Sequence, residues 1–128
     1  MPGTDNAGES LRDLRILLVE DDPLICLDLE TSLSELGAIV TAASNVSKAL
    51  AALEASAVDF AVLDFDLGAE TSEPIAEAAQ ARNIPFLYLS GYSEHDDRFG
   101  RWQRIRVLVK PLSAAKIARG IEGVLKAS

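Results

Sequence analysis

The chain has 128 residues, 48% hydrophobic and 25% charged, with a net charge of −8; this suits one folded domain and excludes a disordered, collagen-like or two-core protein. No uninterrupted apolar run approaches the roughly 18–20 residues of a membrane span, and the start, MPGTDNAGES, has neither the basic nor the apolar stretch of a secretory signal, so cytoplasmic residence without a membrane partner is expected. The charge is lopsided, because residues 98–119 hold seven basic side chains and no acid, which leaves more than the whole negative net charge on the remainder.

In chain order, residues 1–12 are polar with glycines and a proline, and are expected to form a flexible tail before a single domain over 13–128. RILLV, Arg15 to Val19, is a short apolar run of strand type. Asp22-Pro23 is a helix start, and Ile25, Leu29, Leu33 and Leu36 recur at helical spacing up to Gly37, a stop signal. The lone Cys26 lies inside that pattern and reads as a small buried hydrophobe. AIVTA (38–42) is a second strand, followed by a helix that Asn45 caps and that carries Val46, Ala49, Leu50 and Leu53. VDFAVLD (58–64) is a third strand, and Ser72 can cap an alanine-rich helix beginning near Pro74. PFLYLS (85–90) is the fourth strand, with a short, weakly signalled helix over 94–99 before Gly100. RVLVK (106–110) is the fifth, and Ser113 can cap a last helix with Ile117, Ile121 and Val124 or Leu125 inward.

Five strand-helix repeats at this spacing require right-handed crossovers and a parallel sheet covered on both faces. The fold class is therefore α/β, a flavodoxin-like (βα)5 doubly wound five-stranded parallel sheet of order 2-1-3-4-5. Such sheets bind ligands at the carboxyl ends of their strands. Strand 1 ends in Glu20-Asp21, strand 3 in Asp64, strand 4 in Ser90 and strand 5 in Lys110, so the four strand ends converge on one rim.

Three clustered carboxylates repel one another by about 4 kcal/mol per close pair at an effective dielectric of 20, a conflict that a divalent cation removes. Mg2+ takes hard oxygen ligands, keeps several waters and pairs carboxylates with phosphate oxygens; Mn2+ is an alternative ion. Lys110 supplies a point positive charge and Ser90 a hydroxyl, which suit two further phosphoryl oxygens. A carboxylate nucleophile, a metal and a lysine together can form an aspartyl phosphate.

These residues resemble those of the receiver domains of two-component response regulators, over Arg15 to about Lys126. LLVEDDP is similar to the family's acidic pocket, AVLDFDLG to its phosphoacceptor strand, YLSGY to its switch-hydroxyl segment and VLVKPL to its lysine-proline motif. The resemblance implies that Asp64 accepts a phosphoryl group from a phosphohistidine on a sensor histidine kinase or a histidine phosphotransfer protein. It implies Asp21 as a direct metal ligand, Glu20 acting mostly through water, and the backbone carbonyl of Asp66 completing the protein ligands. Lys110 would pair with the phosphate, ahead of a Lys110–Pro111 bond that is often cis in the family. Asp22, one position past the acidic pair, is assigned to helix capping.

Two departures matter. The family commonly has an aromatic residue three positions before the lysine, where this chain has Val107, so an aromatic swing on strand 5 is not the readout. The segment PFLYLSGY instead resembles the P-F-x-F-A-T-G-Y stretch of an atypical alphaproteobacterial subgroup, which makes Tyr92 a switch candidate. Leu67-Gly68 after Asp66 stands in place of a common Met-Pro, and Gly68 makes that loop more pliable. The basic run falls on the face of the fourth helix, fifth strand and fifth helix, the family's usual output and dimerisation face. An output partner with an acidic surface is expected there, nucleic acid is disfavoured by the net charge, and the chain is expected to be a monomer or a weak homodimer. The expectation is a stand-alone, non-enzymatic phosphoacceptor with no output domain. The competing readings are a small aspartyl-phosphate phosphatase using Asp64 as nucleophile and Asp66 as acid, and a binding module that works without phosphorylation.

Overall fold

The computed structural model describes residues 10–91, 100, 105–110 and 113–127. Strand β1 is Arg15–Val19, helix α1 Pro23–Glu35, β2 Ile39–Ala43, α2 Val46–Ala55 and β3 Phe60–Asp64. A two-residue ribbon follows, β4 Asp66–Leu67 and β5 Glu70–Thr71, and then α3 Glu73–Ala81, β6 Phe86–Ser90, β7 Val107–Val109 and α4 Ala114–Ala127. The short helix expected over 94–99 lies outside the described residues, as do Tyr92, Arg98, Arg101, Arg104 and Pro111.

The main sheet has the order β2-β1-β3-β6-β7, and every pairing in it is parallel. With the ribbon left aside, that is the expected 2-1-3-4-5 order. Side-chain alternation divides the core in two. Leu17, Val19, Ala61, Leu63, Phe86, Tyr88 and Val107 pack on one face with α2 and α3. Ile16, Leu18, Phe60, Val62, Leu87 and Leu89 pack on the other with α1 and α4. All five residues of β3 are buried, as a central parallel strand requires.

Asp22 caps α1 as expected, its Oδ1 accepting from the amides of Leu24 at 2.9 Å and Ile25 at 3.2 Å. The inward stripe is narrower than the spacing suggested, because Leu29 and Leu33 are buried whereas Ile25 is 41% exposed. Leu24 and Leu27 are also exposed, and Cys26 is only half-buried. Asn45 caps α2, accepting from the Lys48 amide at 2.8 Å. Ser72 does stand at the start of α3, but its side chain makes no cap bond, and its buried Oγ has no partner among the described residues. Ser113 Oγ accepts from the Lys116 amide at 3.2 Å; of the two alternatives on α4, Val124 packs on the core and Leu125 is exposed.

Ordered packing begins earlier than residue 13. Leu11 is buried and its amide donates to the Leu36 carbonyl, while the Asp13 amide donates to the Gly37 carbonyl; residues 1–9 lie outside the described part. Gly37 has φ of +98°, and a Cβ there would lie 2.8 Å from Arg12 Cα, so only glycine both turns the chain and admits this crossing. The ribbon was not foreseen. Gly68, at φ +78°, forms its turn, and Glu70 Oε2 reaches back to accept from the Val46 amide at 3.2 Å.

Candidate functional site

The rim at the carboxyl ends of the strands is set by register. Val19 lies opposite Leu63, so Glu20 and Asp64 are the next residues on adjacent strands; Asp64 is opposite Leu89 and Ser90 opposite Val109, which brings Lys110 level with the same rim. Continuing the two-residue alternation, Glu20 follows Ile16 and Leu18, Asp64 follows Phe60 and Val62, and Lys110 follows Leu108. All three share one sheet face. Ser90 follows Phe86 and Tyr88 on the other.

The side chains meet accordingly. Lys110 Nζ lies 3.1 Å from Asp64 Oδ2 and 3.2 Å from Glu20 Oε1. Glu20 Oε2 accepts from the Asp22 amide at 3.2 Å. Oxygens of Glu20, Asp21 and Asp64 all lie within 4.8 Å of one another. Glu20 and Asp64 are buried and Asp21 is exposed, so the cluster opens to solvent on the Asp21 side. The Lys110 amide donates to the Ser90 carbonyl at 2.7 Å, which fixes the lysine's backbone to the end of β6.

Burial, and then the neighbouring Glu20 carboxyl, push the Asp64 carboxyl up to about 7 despite Lys110. Burial acts the same way on Glu20, but hydrogen bonds with Asp64, the Asp22 amide and Lys110 outweigh it and hold that carboxyl below its ordinary range. Asp21 is raised by burial and by Glu20. Burial opposes the charge on Lys110, yet the attraction of Asp64 and Glu20 raises its ammonium above the ordinary value. One lysine thus faces three acids. Among the described residues the site is short of positive charge, and hard oxygen donors in this number suit a divalent cation.

Phe65, directly after Asp64, anchors the acceptor strand. It is buried, its amide donates to the Leu89 carbonyl at 2.9 Å, and its ring meets Tyr88 edge-on at 5.2 Å. Gly68 overhangs the rim, since a Cβ on it would lie 3.7 Å from Asp21 Oδ2. Ser90 is buried at the end of β6. Asp66 is half-buried in the ribbon. Val107 is buried on β7, in the place where the resemblance would have an aromatic ring. Cys26 lies in a groove beside Glu20 and Asp21, and burial together with Glu30 and Glu20 pushes its thiol up, which keeps it protonated and unreactive at neutral pH. Sequence alone did not disclose Glu70 as a second cap of α2. An acid 24 residues downstream leaves no local pattern.

Comparison with known proteins agrees with this geometry. The model of the response regulator receiver domain matches residues 16–122. The chain is 34% identical to the sensor protein TorS of Escherichia coli over an alignment that covers 99% of this chain and 14% of TorS, so it spans a small part of that relative. The solution structure of SdrG from Sphingomonas melonis is 35% identical, with a TM-score of 0.70 over 88% of this chain and 97% of that one. The response regulator TrrA of Thermotoga maritima, solved in complex with Mg(2+)-BeF, has the same fold at 22% identity, with a TM-score of 0.75 over 87% of this chain and 98% of that one.

Proposed function

The chain belongs to the response regulator receiver domain family of two-component signalling, and we propose that Asp64 is its phosphoacceptor, charged from a phosphohistidine on a sensor histidine kinase or a histidine phosphotransfer protein. The observation that carries this reading is Asp64 itself: buried at the end of the central strand, 3.1 Å from Lys110 Nζ and within 4.8 Å of two further acids. In the transfer, an Asp64 carboxylate oxygen attacks phosphorus and the P–N bond of the donor breaks. The imidazole leaves and takes up a proton, and the aspartyl phosphate remains.

Asp21, Asp64, Glu20 through water and the Asp66 backbone carbonyl would hold Mg2+, or Mn2+ in its place. Bound there, the ion supplies neutralisation of the phosphoryl oxygens as charge builds on them. The complex of TrrA with Mg(2+)-BeF supports this assignment. Lys110 would exchange its pairing with Asp64 for a phosphoryl oxygen, and the Ser90 hydroxyl, which continues the other sheet face, would turn toward another once the phosphoryl group is present. Tyr92 is the proposed readout of the switched state, in keeping with a buried Val107 and with the resemblance of PFLYLSGY to the P-F-x-F-A-T-G-Y segment. The basic side chains flanking β7 and lining α4 are the proposed contact for an acidic output partner.

Incubation with MgCl2 and acetyl phosphate tests the reading. One phosphate should be gained by mass, lost in Asp64→Asn and on chelation with EDTA. Unchanged labelling of Asp64→Asn, or no labelling of the wild type by either acetyl phosphate or a phosphorylated histidine donor, would reject it.

A further inference from the structure

The main sheet has two edge strands, β2 and β7, and they are guarded differently. The three residues of β7 lie between Arg106 and Lys110, with Lys116 and Arg119 lining the adjoining groove. Charges of this kind keep sheet edges from pairing. By contrast, β2 has five residues, and the whole stretch 37–44, GAIVTAAS, contains neither a charge nor a proline. Ile39 is 56% exposed, and Thr41 and Ala42 are exposed with it.

The hydrogen bonds of β2 fix which backbone groups face outward. The Ile39 amide donates to the Leu14 carbonyl, and the Ala43 carbonyl accepts from the Glu20 amide. In a parallel ladder alternate residues bond the neighbour, so Ile39, Thr41 and Ala43 serve β1 while Val40 and Ala42 turn N–H and C=O away from the sheet. No strand among the described residues pairs with that side. A groove of about 670 Å³ adjoins the carboxyl end of this strand at Ala42 and Ala43, its lining mixing Leu27 of α1 with the charged Glu20, Asp21, Glu30 and Lys48.

We propose that this edge pairs antiparallel with β2 of a second copy of the chain, about a two-fold axis through Thr41. Such pairing sets Val40 opposite Ala42 of the second copy, and Ala42 opposite its Val40. Each pair exchanges both N–H···O=C bonds, so the outward groups of the two strands satisfy one another. Thr41 then faces Thr41 across the axis, a favourable cross-strand pair, and Ile39 comes opposite Ala43 of the second copy. The occupant is a like copy because the match is self-complementary in hydrogen bonding and in charge. Two chains of net charge −8 approach with least local repulsion where both strand edges are uncharged, and added salt screens what remains, the charges lining the adjoining groove included. The strand pairing itself uses no residue of the acidic cluster and does not depend on phosphorylation of Asp64, although the adjoining groove reaches Glu20 and Asp21.

Sedimentation of the full chain from micromolar to millimolar concentration, at low and high salt, tests it. A concentration-dependent dimer that salt strengthens is expected, with slowed amide exchange at Val40 and Ala42 in the dimer. Thr41→Lys and Thr41→Glu, both at an exposed position, should each lose the dimer with circular dichroism unchanged, and an equimolar mixture of the two should regain it. A monomer at every concentration, a dimer indifferent to Thr41→Lys, or a mixture that fails to associate overturns the proposal. So does exchange protection of Val40 and Ala42 in the monomer, which would assign the edge to a segment of the same chain.

Discussion

Asp64 is held where burial and Glu20 make its charge harder to carry than in water, and this has a measurable cost. Its carboxyl is raised to about 7 in the fold by burial and by Glu20, against an ordinary value near 4 in the unfolded chain. The folded protein therefore binds the proton more tightly. This group's contribution to stability is present in full below about pH 4 and is lost as pH rises through about 7. The metal-free melting temperature is expected to fall between pH 5 and 8 through this group, with MgCl2 restoring more of it at pH 8 than at pH 5. Asp64→Asn should stabilise the metal-free protein at pH 8 by on the order of 1–3 kcal/mol, with a smaller gain at pH 5. Thermal melts across this range check both statements, and a wild-type melting temperature insensitive to Mg2+ at pH 8 contradicts them. Much of this site was legible in the sequence, since a strand-final acid, serine or lysine is visible wherever strands are recognised. What was not legible is which of these side chains pair. That depends on Glu20, Asp64 and Lys110 falling on one sheet face, a consequence of register rather than of residue type.

At the scale of elements, capping separates what a local pattern shows from what it cannot. Asp22 and Ser72 look alike in sequence, each just before a helix with a proline in its first two positions, yet Asp22 makes two cap bonds whereas Ser72 makes none. Asp22→Ala should cost about 1 kcal/mol. Ser72→Ala should change stability by less than about 0.5 kcal/mol, or raise it, because no hydrogen bond is lost on removing Oγ. Urea unfolding of the two variants side by side measures the contrast, and equal losses would count against it. The strands were readable because three of them, β1, β3 and β6, are buried runs and all five are apolar stretches bounded by polar or turn residues, and the parallel sheet followed from the helices between them. The ribbon of β4 and β5 was not readable, since two residues per strand carry no periodicity. The burial of Leu11 was hidden as well, because a single apolar residue among polar neighbours gives no sign of the Leu36 and Gly37 carbonyls it will lie beside.

For the whole molecule, the uneven charge set by the sequence becomes a spatial division. Acidic side chains gather at the carboxyl rim, whereas Arg106, Lys116 and Arg119 are exposed around β7 and α4. Opposite fields on one small domain favour rapid, oriented encounter with partners of opposite charge. Reversing Arg106 and Arg119 to Glu together should slow association with an acidic output partner several-fold and flatten its dependence on salt, while phosphorylation of Asp64 is unaffected. Surface plasmon resonance at two ionic strengths checks this, and an unchanged association rate counts against the assignment of that face. The bond from the Val46 amide to Glu70 has a consequence of a different kind, in the order of events as the chain forms. Helix α2 has ten residues and no acid of its own in its first turn, so the carboxylate that meets its positive end comes from a ribbon 24 residues later. A ribosome releasing the chain from its amino end thus exposes α2 before the group that completes it. The helix gains its full hold only once the segment carrying Asp64 has arrived and turned back.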